Sequence, residues 1–236
     1  MAIDAKTCEE IRKLTQVMWA KKAKDDGEFR RLVGRKKERG HSMADFVDDC
    51  TTSLLKSQFV TRSLGPRSMG DVWLKSGGGG IFNPINVKTG IVGANGQPNL
   101  VSLKRVLRAL LADQIDSYYL LFVKFELVEK SDPKPKVLIV DLLDHLEWTT
   151  YNDGPGQMML LEKKFFEEME KGYSVTPKPI VDKIGNLLKM LKAGNERLVQ
   201  ARRRTISTFD KALGAYIAKS DHKIDQSALG FVDEPN

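Results

Sequence analysis

The sequence predicts an α/β fold: a mixed central β-sheet flanked by helices in a single domain. Three observations point there. "SYYLLFVKFELVE" (117–129) and "KVLIVDLL" (136–143) are almost continuously apolar and β-rich, as strands of a sheet covered on both faces are. "GDVWLKSGGGGIFNPINVKTG" (70–90) reads as strand, glycine turn and strand. Around these runs, apolar residues recur at three- and four-residue steps, the period of a helix packed on a core.

The elements follow in order. Residues 4–25 form a helix, with Cys8, Ile11, Leu14, Met18 and Trp19 on its apolar side and "DDG" as its stop. "FRRLVGRKKERGH" (29–41) is basic and interrupted by two glycines, which suggests a loop or short turns. A second helix starts at Ser42, with Ser42 as its cap, Asp45 as the acid of a capping box, and Phe46, Cys50 and Leu54 as its stripe. The hairpin strands span 70–75 and 81–89, and "GIVGANGQPN" (90–99) is a loop. Residues 100–114 are a helix with Leu100, Leu103, Val106, Leu107, Leu110 and Leu111 on one face and Lys104, Arg105 and Arg108 on the other. After the two apolar strands come a loop at "YNDGPGQ" (151–157), a strand running into a short helix, and two closing helices. In the last, Leu198, Thr205, Phe209, Leu213 and Tyr216 keep helical spacing beside Arg202, Arg203 and Arg204. The organisation expected is a helical, basic N-terminal extension (1–39), a main domain (40–219) and a polar acidic tail (220–236).

Bulk composition narrows the function. Net charge is +7 and the pI is near 9.3, which favours a polyanionic partner. The excess is localised: between Lys178 and Lys219, Lys and Arg outnumber Asp and Glu ten to three. No stretch has the length and apolarity of a transmembrane helix or signal peptide. Cys8 and Cys50 are too few for a disulfide framework and lack zinc-ligand spacing, so a reducing, cytoplasmic setting is expected. His41, His145 and His222 have no nucleophile motif beside them. Gly77–Gly80 lack the helix and the Gly-Lys-Ser/Thr ending of a phosphate-binding loop.

The hairpin carries the chemistry. Phosphodiester hydrolysis needs an attacking water, charge stabilisation on the phosphoryl oxygens and help for the leaving oxygen. Mg²⁺ supplies much of this through hard oxygen ligands. Asp71 at the start of one strand and Asn86 with the Val87 carbonyl near the end of the next can grip one ion. Lys88, two residues past Asn86, points to the same side and can orient water. Asn86 is a departure, since its amide brings no charge. Asp45, on the preceding helix, is the candidate for the missing carboxylate. Otherwise Asn86 marks an inactivated site, or the hairpin is only structural.

On these residues the chain resembles the type II restriction endonucleases of the PD-(D/E)xK superfamily, mainly their HincII-like branch and more distantly the EcoRV-like one. "DVWLKSGGGGIFNPINVKTG" is similar to their Asp–strand–turn–strand ending in Asp-x-Lys-Thr, with Thr89 after the lysine. "GQPNLVSLKRVLRALL", "SYYLLFVKFEL", "RRRTISTFDKAL" and "GHSMADF" resemble further segments, over about residues 40–215. The resemblance implies a restriction-endonuclease-like core and a homodimer that clamps duplex DNA and cuts both strands with Mg²⁺. A cognate DNA methyltransferase would share its system. It implies metal-facing roles for Asp71, Asn86 and Val87, water activation by Lys88, and Asp45 as the early-helix acid. It makes Asn95, Gln97 and Asn99 candidates for minor-groove contact, and Tyr151, Asn152, Asp153 and Gln157 for major-groove reading. Lys104, Arg202 and Arg203 would meet phosphates. Two alternatives stand beside this: a DNA-binding protein of the same fold that does not cut because of Asn86, and an interaction protein whose basic helices bind acidic proteins.

Overall fold

Strand β3 (Phe82–Ile91) is the axis of the computed structural model, which describes residues 2–34, 41–62, 68–75, 80–93, 98–127, 131–170 and 177–219. β2 (Val72–Lys75) pairs with it antiparallel, Val72 opposite Ile85, and closes the expected hairpin. On its other side β3 runs parallel to β5 (Tyr119–Glu126), with Val87 opposite Leu121. β6 (Lys134–Asp141) lies antiparallel on β5, and β1 (Thr61–Arg62) antiparallel on β2. The result is a mixed five-stranded sheet in the order β1-β2-β3-β5-β6. A parallel neighbour requires a crossover. Here β4 (Asn99–Ser102) and helix α4 (Leu103–Leu111) supply it. β4 also joins β7 (Thr149–Asn152) and β8 (Gln157–Leu160) in a second, antiparallel sheet of order β4-β8-β7. The loop expected at 151–157 is therefore the tip of a hairpin.

Side-chain alternation along the central strands builds two cores. Tyr119, Leu121, Val123 and Phe125 of β5 face one way with Ile85 and Val87, while Leu120 and Phe122 face the other. The first core is covered by α1 (Ala5–Asp25), α2 (Gly27–Gly34) and α3 (His41–Gln58). The second is filled from α4, β7, β8 and α5 (Glu162–Glu170), with Leu187 of α6 (Ile180–Lys219). The chain divides into two compact units, Met1–Lys192 and Ala193–Asn236. The described part of the second is the remainder of α6, one continuous helix where two were expected. The tail 220–236 lies outside the described residues.

The first helices, expected as an extension, are built into a core. Trp19 is fully buried, donates from Nε1 to Thr51 Oγ1 (2.9 Å), and meets Phe29 and Phe125 at ring-centroid distances of 5.2 and 5.5 Å. Gln16 donates to the Pro135 carbonyl and accepts from the Val137 N–H, satisfying the outer edge of β6. The segment expected as loop or turns from residue 29 is helical through Gly34, because Phe29, Leu32 and Val33 fall on one buried side and outweigh the glycine. On α3 the buried line is Met43, Val47, Thr51 and Leu55, and the expected stripe of Phe46, Cys50 and Leu54 is its half-buried flank. Ser42 lies inside the helix instead of capping it. In the crossover, helix begins at Leu103, Leu100 and its neighbours pair as β4, and Leu111, expected on the apolar face, is exposed at the end of the helix.

Two tight features hold the second core. Lys183 of α6, itself buried, sits 2.6 Å from Asp141 and 3.1 Å from Asp144. Asp141 also accepts from the Tyr118 and Leu143 N–H groups. Gly90 lies where a Cβ would stand 2.7 Å from Glu162 Oε1 and 2.9 Å from the Phe122 ring. Glu162 is in turn paired with Lys124, whose Nζ lies 3.7 Å from the Phe166 ring centroid. Gly90→Ala is therefore expected to cost about 1–3 kcal/mol by overpacking, measured by urea unfolding. An unchanged midpoint would show that Glu162 and Phe122 can yield.

Candidate active site

Asp71 leads into β2, and two hydrogen bonds fix that residue against β3. Its N–H donates to the Ile85 carbonyl (2.9 Å), and its Oδ2 accepts from the Val87 N–H (2.7 Å). The close approach depends on the residue before it: a Cβ on Gly70 would stand 2.9 Å from both the Ile85 oxygen and the Pro84 Cβ. The Asp71 carboxylate is thus held over the Asn86–Val87–Lys88 segment predicted from sequence.

Asn86 is almost fully enclosed, with 6% of its surface exposed. Its Nδ2 donates to the Leu100 carbonyl at 3.5 Å, which ties β3 to β4. Its Oδ1 is buried with no donor in hydrogen-bond geometry, and the Tyr118 hydroxyl lies close to the same side chain without reaching that geometry. Burial, with a smaller contribution from the Asp71 charge, pushes the Tyr118 phenol well above its ordinary range, and its interaction with the Asn86 side chain opposes this weakly. A buried amide oxygen left without a donor is costly and needs an explanation. A hard cation supplies one: Asp71 and the Asn86 oxygen fit Mg²⁺, which uses few protein ligands and keeps several waters. The donor set is light in charge. Among the described residues no group of three His, Cys, Asp or Glu side chains could hold a metal ion. Lys88 follows on the same side of β3 as Asn86 and is half-buried.

The opposite side of β3 brings in a second acid. Thr89 Oγ1 donates to Asp48 Oδ1 of α3 at 3.3 Å. Burial raises the Asp48 carboxyl to about 7; the Lys88 charge opposes this, and Asp71 and Asp45 add to it. Asp45 is exposed one turn earlier on the same helix. Sequence reasoning selected Asp45 and passed over Asp48. The available signal was "DFVDD", in which Asp48 stands three residues on and so shares the side of the helix. Tyr118 had no signal beyond its place in an apolar run.

The raised Asp48 carboxyl has a consequence for stability. Between pH 4 and 7 the folded chain keeps a proton that the unfolded chain releases, so this group lowers stability as pH rises through that window. Asp48→Asn is expected to remove the loss and to be more stable than the parent at pH 8 by on the order of 1 kcal/mol, with little difference at pH 4. Urea unfolding at both pH values checks this, and parallel pH profiles for the two proteins would refute it.

The structure disposes of the other candidates unevenly. Asn95 and Gln97 lie outside the described residues. Asn99 is exposed on β4, while Asn152 and Gln157 face one another across β7 and β8, and Ser102 pairs with Gln157. The second sheet therefore joins the two stretches nominated for base contact. Asn152, Asp153 and Gln157 are half-buried. Tyr151 corrects the expectation: it is buried in the second core, because alternation along β7 turns it inward where Asn152 turns out. Lys104, Arg105 and Arg108 are exposed on one side of α4. Arg202 and Arg203 are exposed on the second unit's helix. No described helix is long and apolar enough to cross a membrane. No protein-family model matches the chain, and no curated protein is similar enough to count as a relative.

Proposed function

We propose that this chain is a Mg²⁺-dependent endonuclease acting on specific sites in duplex DNA, of the type II restriction class. The observation that carries the reading is the buried Asn86 oxygen, which has no donor in hydrogen-bond geometry, on the strand segment that clamps the Asp71 carboxylate, with Lys88 following on the same side. A mixed sheet with its hairpin leading to a parallel crossover is compatible with the restriction-endonuclease-like core.

In this reading Asp71 and Asn86 would hold the ion, with the Val87 carbonyl as a further oxygen. When bound, Mg²⁺ would offset negative charge on the scissile phosphate and lower the pKa of a coordinated water. Lys88 orients the attacking water and stabilises charge developing on the phosphoryl oxygen. Asp48 sets the charge balance around Lys88 from across the strand. Lys104, Arg105 and Arg108 take phosphates, while Asn99, Asn152 and Gln157 offer amides that pair with base edges. The same reading makes the protein a cytoplasmic homodimer working beside a cognate methyltransferase.

The test is incubation of phage DNA with Mg²⁺. Discrete fragments are expected, with the rate falling at least about 100-fold in Lys88→Ala. Binding by both proteins should weaken steeply between low and moderate salt as counterions are released. Salt-sensitive binding without cutting would leave a DNA-binding protein of the same fold, a reading the uncharged Asn86 favours. Neither binding nor cutting would leave the basic surfaces to an acidic protein partner.

A further inference from the structure

The helix of the second unit carries large apolar side chains that are exposed or half-exposed. Val199 is 48% exposed, Ile206 58%, Phe209 70% and Tyr216 58%, and Leu213 is half-exposed. Their spacing is regular. Val199, Ile206 and Leu213 recur every seven residues, and so do Arg202, Phe209 and Tyr216, three residues out of step. That is the two-position heptad of a helix that packs on another helix. The seam runs about 27 Å along the axis, at 1.5 Å per residue. Apolar residues this large, aligned on one exposed stripe, mark an interaction surface.

We propose that the stripe docks antiparallel on the same stripe of a second copy of this chain. Charge complementarity selects both the occupant and the direction. With Ile206 set against the partner's Phe209, the layers on either side become Val199 against the partner's Tyr216 and Arg202 against the partner's Leu213. The positions flanking this seam then bring Arg203 of each copy beside Asp210 of the other, so the two-fold axis makes the ion pair twice. Within one copy neither Arg203 nor Asp210 forms an ion pair with a described residue. A parallel pairing would lay Arg202 on Arg202 inside the seam and leave Arg203 facing Leu198, which buries like charges without return. In the antiparallel pair the Arg202 stem covers a leucine and its head reaches water. The seam draws Arg203 away from phosphate contact and leaves Arg204 and Lys211 outward. It is small for a specific interface, so dissociation in the micromolar range is expected.

The inference gives the homodimer of the proposed function its contact surface, and because it is tested without DNA or metal its failure is distinct from a failure of cleavage. Sedimentation velocity of the full chain, from about 1 to 100 µM, should show a monomer passing to a dimer. Ile206→Asp with Phe209→Asp, both at exposed positions, should keep the chain monomeric with unchanged circular dichroism. Arg203→Asp and Asp210→Arg should each weaken the dimer about tenfold, and the two together should restore it. A parent chain monomeric at the highest concentration, or a dimer that survives the aspartate pair, overturns the proposal. Failure of the charge exchange to restore association overturns the antiparallel register.

Discussion

Asn86→Asp is expected to raise Mg²⁺ affinity by about tenfold or more, because one further unit charge would meet the ion in a largely enclosed setting. Calorimetric titration of parent and variant measures it directly. The amide oxygen is already buried with no donor in hydrogen-bond geometry, so the carboxylate enters a position that has the room and lacks only the charge. The cost of the change should appear without metal. Asp71 lies across the hairpin, and two carboxylates facing each other repel. The metal-free variant should therefore be less stable than its parent and recover with Mg²⁺. Equal affinity in the two proteins would remove Asn86 from the site. If the parent cuts DNA slowly and Asn86→Asp cuts fast, the asparagine is a brake on a working enzyme.

The second large effect is structural. Lys183→Ala should cost about 3–5 kcal/mol, because it leaves Asp141 and Asp144 buried without their shared cation. Asp141 accepts backbone N–H groups at the start of β5 and just after β6, so a disturbed carboxylate loosens both strand ends. Chemical denaturation gives the loss. Adding Asp144→Asn to Lys183→Ala should recover part of it by removing one of the stranded charges. A loss below about 1 kcal/mol would mean that water reaches the triad.

Much of this architecture was legible in the residues. The hairpin declared itself by alternation around a glycine turn, and β5 and β6 by apolar runs that only a doubly covered sheet can use. Asp71, Asn86 and Lys88 followed from one hairpin register, and the structure brings Asp71 onto the Asn86–Lys88 segment. What sequence could not fix was pairing over long separations. The choice between Asp45 and Asp48 depends on how α3 is rotated against β3, and Trp19 and Thr51 set that rotation through a contact across 32 positions. The inward turn of Tyr151 was hidden for a simpler reason: its segment looks like a loop until β7 pairs with β8 and becomes part of a sheet. The rotation of α2 onto Phe125 was hidden behind a glycine and a run of cations.

The parallel pairing of β3 with β5 also governs how the protein comes apart. That pair forms only after the whole β4–α4 crossover has closed, and it lies in the middle of the sheet with a core on each side. Its amides should be among the last to exchange with solvent, opening only when the chain unfolds as a whole. Asn86 and Lys88 belong to that slowest segment. A site placed there cannot fray ahead of its scaffold, so, if the proposed cleavage is found, warming should abolish it together with the fold, in one transition.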